Sequence, residues 1–267
     1  MSNKENEDLL LSQVRDGVAT VTLNNPDRLN ALSEEMISQL HKALIAISKD
    51  RGIRCVILQG SGRAFCAGHD LKQLTGARLN DDKGASYFRH IFDRCSSMMQ
   101  TIRRMPQPVI AQVHGIAVAA GCQLVATADM AVASRDARFG VNGVNIGLFC
   151  STPMVALSRN IPHKHAFEML TTGRLVDAER AAAMGLVNEV VEPGELETRT
   201  LELAGVVAAK LSAAVKIGKL AFYEQAQMTL SDAYDYTGDV MVENMLYDDT
   251  AEGISAFLEK RPARWSN

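Results

Sequence analysis

Apolar positions alternate near the start of the chain and later fall into helical stripes. Ala19, Val21 and Leu23 alternate with Val18, Thr20, Thr22 and Asn24, which predicts a strand with one face buried. Asn24-Asn25-Pro26-Asp27 carries the turn chemistry that ends it. Ser33 is placed to cap a helix, with Glu34 and Glu35 in the first turn, where the dipole favours negative charge. Met36, Ile37, Leu40, Ala43, Leu44 and Ile47 then share one helical face. Three short apolar runs, Cys55-Val56-Ile57-Leu58, Val109-Ile110-Ala111-Gln112-Val113 and Met130-Ala131-Val132-Ala133, read as buried strands. Gly60-Ser61-Gly62 breaks the first, and Pro106 and Pro108 precede the second. A polar, irregular loop over 77–85 leads to a helix expected from about Tyr87 to Arg104. From about residue 153 the pattern is mostly helical, over 163–171, 177–184, an interrupted 196–227, 231–246 and 250–260. Strands alternating with helices and then a helical tail define an α/β fold class. The division expected is a core over 1–200 and a helical module over 201–267.

Composition narrows the function. The 28 Lys+Arg nearly balance the 31 Asp+Glu, for a net charge of −3, which argues against a nucleic-acid partner. No apolar run is long enough to span a membrane, and the polar, acidic start shows no leader pattern. Five widely spaced cysteines, Cys55, Cys66, Cys95, Cys122 and Cys150, form no C-x-x-C pair and read as buried thiols of a reducing compartment. A cytoplasmic location is the expectation. No phosphate loop, dinucleotide fingerprint, H-E-x-x-H or G-x-S-x-G is present, so the common nucleotide, zinc and serine-hydrolase chemistries lack their signatures.

Two segments carry the chemical signal: Ala64-Phe65-Cys66-Ala67-Gly68-His69-Asp70-Leu71, and Pro108 through Leu124 with Ala119-Ala120-Gly121-Cys122-Gln123 at its centre. In each, an apolar strand runs into a turn of small residues that opens a helix, where the first N–H groups lack intrahelical partners. Two such turns facing each other would present two N–H donors to one developing oxyanion. Each turn taken alone is equally a plain strand-to-helix connection.

Taken together and in order, these segments resemble the crotonase (enoyl-CoA hydratase/isomerase) superfamily. The likeness begins at Asn25-Pro26-Asp27-Arg28-Leu29-Asn30-Ala31-Leu32 and continues through Thr171-Thr172-Gly173, Gly185-Leu186-Val187-Asn188-Glu189-Val190-Val191 and Glu252 to Arg261. Gly-His-Asp-Leu, Ala-Ala-Gly-Cys-Gln-Leu and Gly-Leu-Phe-Cys-Ser-Thr-Pro resemble the enoyl-CoA hydratase domain-containing subgroup. The resemblance implies a crotonase-type ββα spiral with a C-terminal helical trimerisation module, a homotrimer or a dimer of trimers, and an acyl-CoA thioester as ligand. It places an oxyanion hole on the backbone N–H groups of His69 and Ala120. It puts coenzyme A along Arg28, Ala31 and Leu32, with Ala67 and Leu71 near the adenine, and counts Gly68, Asp70, Gly121 and Asn142 among the substrate-binding positions, Asp70 with a structural part in its turn. Phe257 and Lys260 match positions that reach the coenzyme across a subunit boundary. No metal and no cofactor beyond the thioester's own coenzyme A is implied.

Hydratases of the family carry two glutamates in the site. Here those positions fall on Gln123 and Gly143, so neither can accept a proton. Ser151 lies near a position that serves as acid or nucleophile elsewhere in the superfamily, without an evident base beside it. The expectation is an acyl-CoA lyase of this family that stabilises a thioester enolate but is poorly equipped for hydration. The alternatives are a non-catalytic acyl-CoA-binding or assembly subunit, and a decarboxylase of malonyl-type thioesters.

Overall fold

The computed structural model describes residues 8–266; residues 1–7, read above for a leader, lie outside them. Strands β1 (Leu10–Arg15) and β2 (Val18–Leu23) form an antiparallel hairpin. Its turn is Asp16-Gly17, both at positive φ (51° and 76°), as a two-residue hairpin demands. The pattern of apolar residues misses β1 because it is an edge strand with mostly exposed residues and no face to bury. A 3₁₀ turn at Pro26–Arg28 leads to α1 (Glu34–Lys49), capped by the Ser33 hydroxyl, which accepts from Met36 N–H at 3.2 Å. Next come β3 (Cys55–Gly60), α2 (Leu71–Ala77), α3 (Ala85–Arg104), β4 (Val109–Val113), β5 (Ile116–Val118) and α4 (Ala120–Thr127). They are followed by β6 (Met130–Ser134), β7 (Arg138–Gly140), α5 (Ser151–Leu157), α6 (His163–Thr172), β8 (Val176–Asp177), α7 (Ala178–Ala183) and β9 (Glu189–Val191). The chain closes with α8 (Leu196–Ala208), α9 (Ser212–Gln225), α10 (Leu230–Met245) and α11 (Asp248–Leu258).

The larger sheet has the order β1-β2-β3-β4-β6-β9, parallel except at β1, and the smaller has β5-β7-β8. Side chains alternate across the larger sheet. Val56, Leu58, Val109 and Ala111 face the main core with α1, α3 and α4. Cys55, Ile57, Ile110 and Val132 face Leu196, Ala204 and Ala208 of α8. Both faces are covered, so these strands read as unbroken apolar runs. Strands β7, β8 and β9, two or three residues each, are too short to show a period and stay invisible to the sequence pattern.

Helix α9 is fastened to the core by a buried cation. Lys219 Nζ donates to the Ile102 and Gln107 carbonyls (2.8 Å each) and to Asp129 Oδ2 (2.7 Å). Asp129 also accepts from Tyr223 OH (2.7 Å) and Val109 N–H (2.6 Å). Burial pulls the Lys219 ammonium below its ordinary range, against the attraction of Asp129. Lys219→Met is expected to cost about 3–5 kcal/mol, because it strands the Asp129 carboxylate in the interior. Urea unfolding followed by circular dichroism checks this; a loss under about 1 kcal/mol would mean the pair is not a fastening.

Candidate active site

The loop over 25–32 and the turn over 67–70 are zipped together by backbone bonds. Ala67 N–H donates to the Leu29 carbonyl (3.0 Å) and Leu32 N–H to the Gly68 carbonyl (2.7 Å). Asp70 N–H donates back to the Leu32 carbonyl (3.4 Å). In this parallel bridge Leu32 donates to Gly68 and accepts from Asp70, the two residues flanking His69, so the His69 backbone groups face the other way. Asn30 holds the same loop from beneath. Fully buried and at φ +53°, it donates to the Ser61 and Ala64 carbonyls (2.9 and 2.7 Å) and accepts from Asn25 N–H (2.8 Å). The sequence offers Asn30 only as a member of the Asn25–Leu32 motif, with no separate role.

Asp70 caps α2, accepting from Lys72 N–H at 2.9 Å, and its other oxygen takes Arg28 Nη1 at 2.5 Å. Arg28, Ala31, Leu32, Ala67, Gly68, Asp70 and Leu71 are therefore one structural unit. Leu32 lies in the core, whereas the Leu71 side chain is exposed.

The second turn abuts the first. Ala119 sits at φ 50°, ψ −119°, a strained conformation for a residue with a side chain. That kink ends β5 and turns the chain into α4, with Ala119 N–H bonded to the Gly140 carbonyl at 2.8 Å. Gly68, at φ +86°, lies so close that a Cβ there would stand 2.9 Å from Ala119 Cβ and 3.2 Å from Ala120 N. A Cβ on Gly121 would overlap the Cys66 carbonyl oxygen. Among the described residues, neither the His69 N–H nor the Ala120 N–H donates to a protein acceptor. Two unspent main-chain donors thus sit on adjoining turns, one of them at a helix N-terminus.

Apart from the Arg28–Asp70 pair, the side chains nearest the two amides, His69 and Gln123, carry no charge. The His69 imidazole packs edge-on against Phe92, with ring centroids 5.3 Å apart. Both of its nitrogens are buried and, among the described residues, unpartnered. Burial pushes it down to about 4 from its ordinary 6.5. Between those values the unfolded chain binds the proton and the folded one does not, so stability rises with pH through this window. The contribution is complete above about 6.5 and is lost as the pH falls toward 4, at most roughly 3 kcal/mol. A series of urea titrations over this range is expected to show a shallower pH slope for His69→Phe than for the parent; equal slopes would contradict the neutral, buried ring.

Gln123, one turn into α4, is buried, and its Oε1 has no partner among the described residues. It lines a cavity of about 690 Å³ together with Ser96 and Met99 of α3 and Thr152 of α5. Gly143 lies in a 3₁₀ turn over Asn142–Ile146, where a Cβ would fall on the Leu148 carbonyl oxygen and 2.8 Å from Cys150 Sγ. Asn142, half-buried, opens that turn. Ser151 is exposed and its hydroxyl donates to the Phe149 carbonyl at 3.4 Å; Thr152, its neighbour, is the residue that shares the cavity with Gln123. All five cysteines are free and buried, and burial drives the Cys66 and Cys122 thiols up to about 12, so they stay protonated. Phe257 and Lys260 are exposed at the end of the chain, where Phe257 keeps 82% of its surface in solvent.

A family model described as enoyl-CoA hydratase/isomerase matches residues 13–267. A human protein named enoyl-CoA hydratase domain-containing protein 3, mitochondrial, is 43% identical over 252 residues, 94% of this chain and 82% of that protein. A crystal structure of an enoyl-CoA hydratase from Mycobacterium smegmatis superposes with a TM-score of 0.93 at 49% identity, covering 98% of this chain and all of that one. The crystal structure of human enoyl-CoA hydratase domain-containing protein 3 gives 0.91 at 41% identity, covering 96% and 100%. The expected cytoplasmic location is overturned by these relatives: those from human, rat and Xenopus laevis are named as mitochondrial. Facing strand-to-helix turns, a helical C-terminus and a match over nearly the whole length agree, and the chain belongs to the enoyl-CoA hydratase/isomerase (crotonase) family.

Proposed function

We propose that this chain binds an acyl-CoA thioester with its carbonyl oxygen between the N–H groups of His69 and Ala120, and that it stabilises the enolate without the carboxylates that add water. One observation carries the reading: two main-chain donors with no protein acceptor lie on turns that touch at Gly68 and Ala120. An oxyanion held there gains from preorganised dipoles, and one such donor is typically worth about 2.7–4 kcal/mol in a transition state. The family acts on acyl-CoA thioesters. Arg28 and the main chain of Ala31, Leu32 and Ala67, with Leu71 beside them, are assigned to the coenzyme, and Gly68, Gly121 and Asn142 to the acyl group. Arg28 meets an anionic coenzyme with its charge partly spent on Asp70.

The chemistry left to such a site is that in which the enolate forms without a protein base. Loss of CO₂ from a malonyl-type thioester is one case, since the departing group leaves its electron pair at Cα. A binding subunit without turnover is the second reading. Ser151 and Cys150 favour it, the one turned to a carbonyl, the other held as a thiol by burial.

Assembly through the C-terminal helices belongs to the same proposal. Helix α10 buries no residue; Met241, Val242 and Met245 on α10, Leu246 just after it, and Phe257 and Leu258 on α11 are all exposed. Apolar surface of that extent marks a protein interface. A trimer or a pair of trimers would cover it and bring Phe257 and Lys260 to a neighbour's coenzyme. Light scattering should then give three or six times the 29.0 kDa chain, and a monomer would contradict it.

Calorimetry with acetyl-CoA and free coenzyme A tests the core reading. The thioester should bind more tightly than the thiol, because only it carries a thioester carbonyl for the two amides to meet. Equal affinity, or no binding of either, overturns the proposal.

A further inference from the structure

Ala120, Gln123 and Thr127 share one face of α4 at i, i+3 and i+7, and the latter two line the cavity. At 1.5 Å per residue this face leads about 10 Å away from the Ala120 amide. Helix α3 carries a matching stripe, Phe92, Ser96, Met99 and Arg103: Phe92 packs against His69, and the other three line the cavity toward its far end. That end is cationic. The Arg103 guanidinium lies over the Tyr223 ring, 4.1 Å from its centroid, and Arg159 Nη1 reaches only the Val155 carbonyl (3.1 Å). Arg104 adds a third positive charge to the rim. No carboxylate pairs with Arg103 or Arg159 among the described residues. Glu224 is the acid on the rim, and nearby Asp129 is spent on Lys219, Tyr223 and Val109.

A plain alkyl chain would carry its methyl end to this rim and cover guanidinium groups with hydrocarbon, which costs desolvation without return. We propose that the acyl chain taken by this site ends in a carboxylate, bound by Arg103 and Arg159 at the end of the cavity away from the two amides. Met99, Val155 and Leu220 supply apolar walls to the cavity. The inference rests on the reading that the thioester carbonyl lies at His69 and Ala120. Arginine suits the task because its planar fork meets a carboxylate with two parallel hydrogen bonds, and its face can stay stacked on an aromatic ring meanwhile.

The test compares acetyl-CoA, octanoyl-CoA and suberoyl-CoA, the last two having equal chain length and differing only at the far end. Calorimetry on the full chain is expected to show suberoyl-CoA binding at least about tenfold more tightly than octanoyl-CoA, with the preference shrinking as salt is raised. Arg103→Met with Arg159→Met should bring that ratio near one, and Arg103→Lys with Arg159→Lys should restore part of it. The ratio within one variant is its own folding control, since an unfolded chain binds neither. Octanoyl-CoA binding as well as or better than suberoyl-CoA, with acetyl-CoA still bound, overturns the carboxylate inference alone. Failure of all three thioesters to bind overturns it together with the reading beneath it.

Discussion

Crotonyl-CoA is expected to keep its conjugated absorbance in the presence of this protein. Adding water across the double bond needs a group to take a proton from water and one to deliver a proton to Cα. Each such group is commonly worth about 10²–10⁴-fold, so a site lacking both should fall at least about 10⁴-fold short of one that holds them. The nearest candidates do not replace them. Gln123 is an amide, the cysteines are held as thiols, and the His69 imidazole is buried with a depressed affinity for protons. Introducing a carboxylate at Gln123 or Gly143 is expected to succeed at one position only. Gln123→Glu adds no bulk and faces the cavity, and a gain of up to about 10²-fold in hydration is the outcome if one carboxylate serves. Gly143→Glu should instead yield poorly folded protein, because its Cβ would fall on the Leu148 carbonyl. Fast hydration by the unaltered chain, followed at the enoyl-thioester absorbance, would refute the argument.

The second large effect is expected from a single methyl group. Gly68→Ala places a Cβ 2.9 Å from Ala119 Cβ and 3.2 Å from Ala120 N, at a backbone angle of +86° that alanine rarely adopts. The two turns must part or rotate, and the shared focus of their amides is lost. A drop of about 10²–10³-fold in any enolate-forming reaction, or an equivalent loss in thioester affinity over free coenzyme A, is the expected scale for one donor removed. Gly147→Ala is the control. Its φ of +77° is as demanding, yet nothing lies within 4 Å of the added carbon. It should cost about 1 kcal/mol of stability and leave thioester binding alone. Equal behaviour of the two variants would show that backbone strain, and not the junction of the turns, controls binding.

Much of this is legible in the sequence alone. The Ser33 cap, the buried runs at 55–58, 109–113 and 130–133, and the C-terminal helices follow from period and capping chemistry. Strand β1 was not, since an exposed edge strand has no apolar alternation, although Asp16-Gly17 advertised its hairpin. At the site, the residue types of both turns were readable and their contact was not. Gly68 meets Ala120 only through the packing of loops about fifty residues apart. The same holds for Asn30, whose hydrogen bonds reach Ser61 and Ala64, and for Thr152, which takes the cavity wall where Ser151 faces outward. The resemblance marks Gly143 as a glutamate position without a side chain. Its backbone surroundings show that a side chain has no room there.

The most direct measurement is the carbonyl stretch of an isotope-labelled acetyl-CoA bound to the protein, taken by infrared difference spectroscopy. Two amides converging on the oxygen lengthen the C=O bond, so the band should move to lower frequency on binding and move back in Gly68→Ala. A bound thioester whose carbonyl vibrates as it does in water would contradict the account.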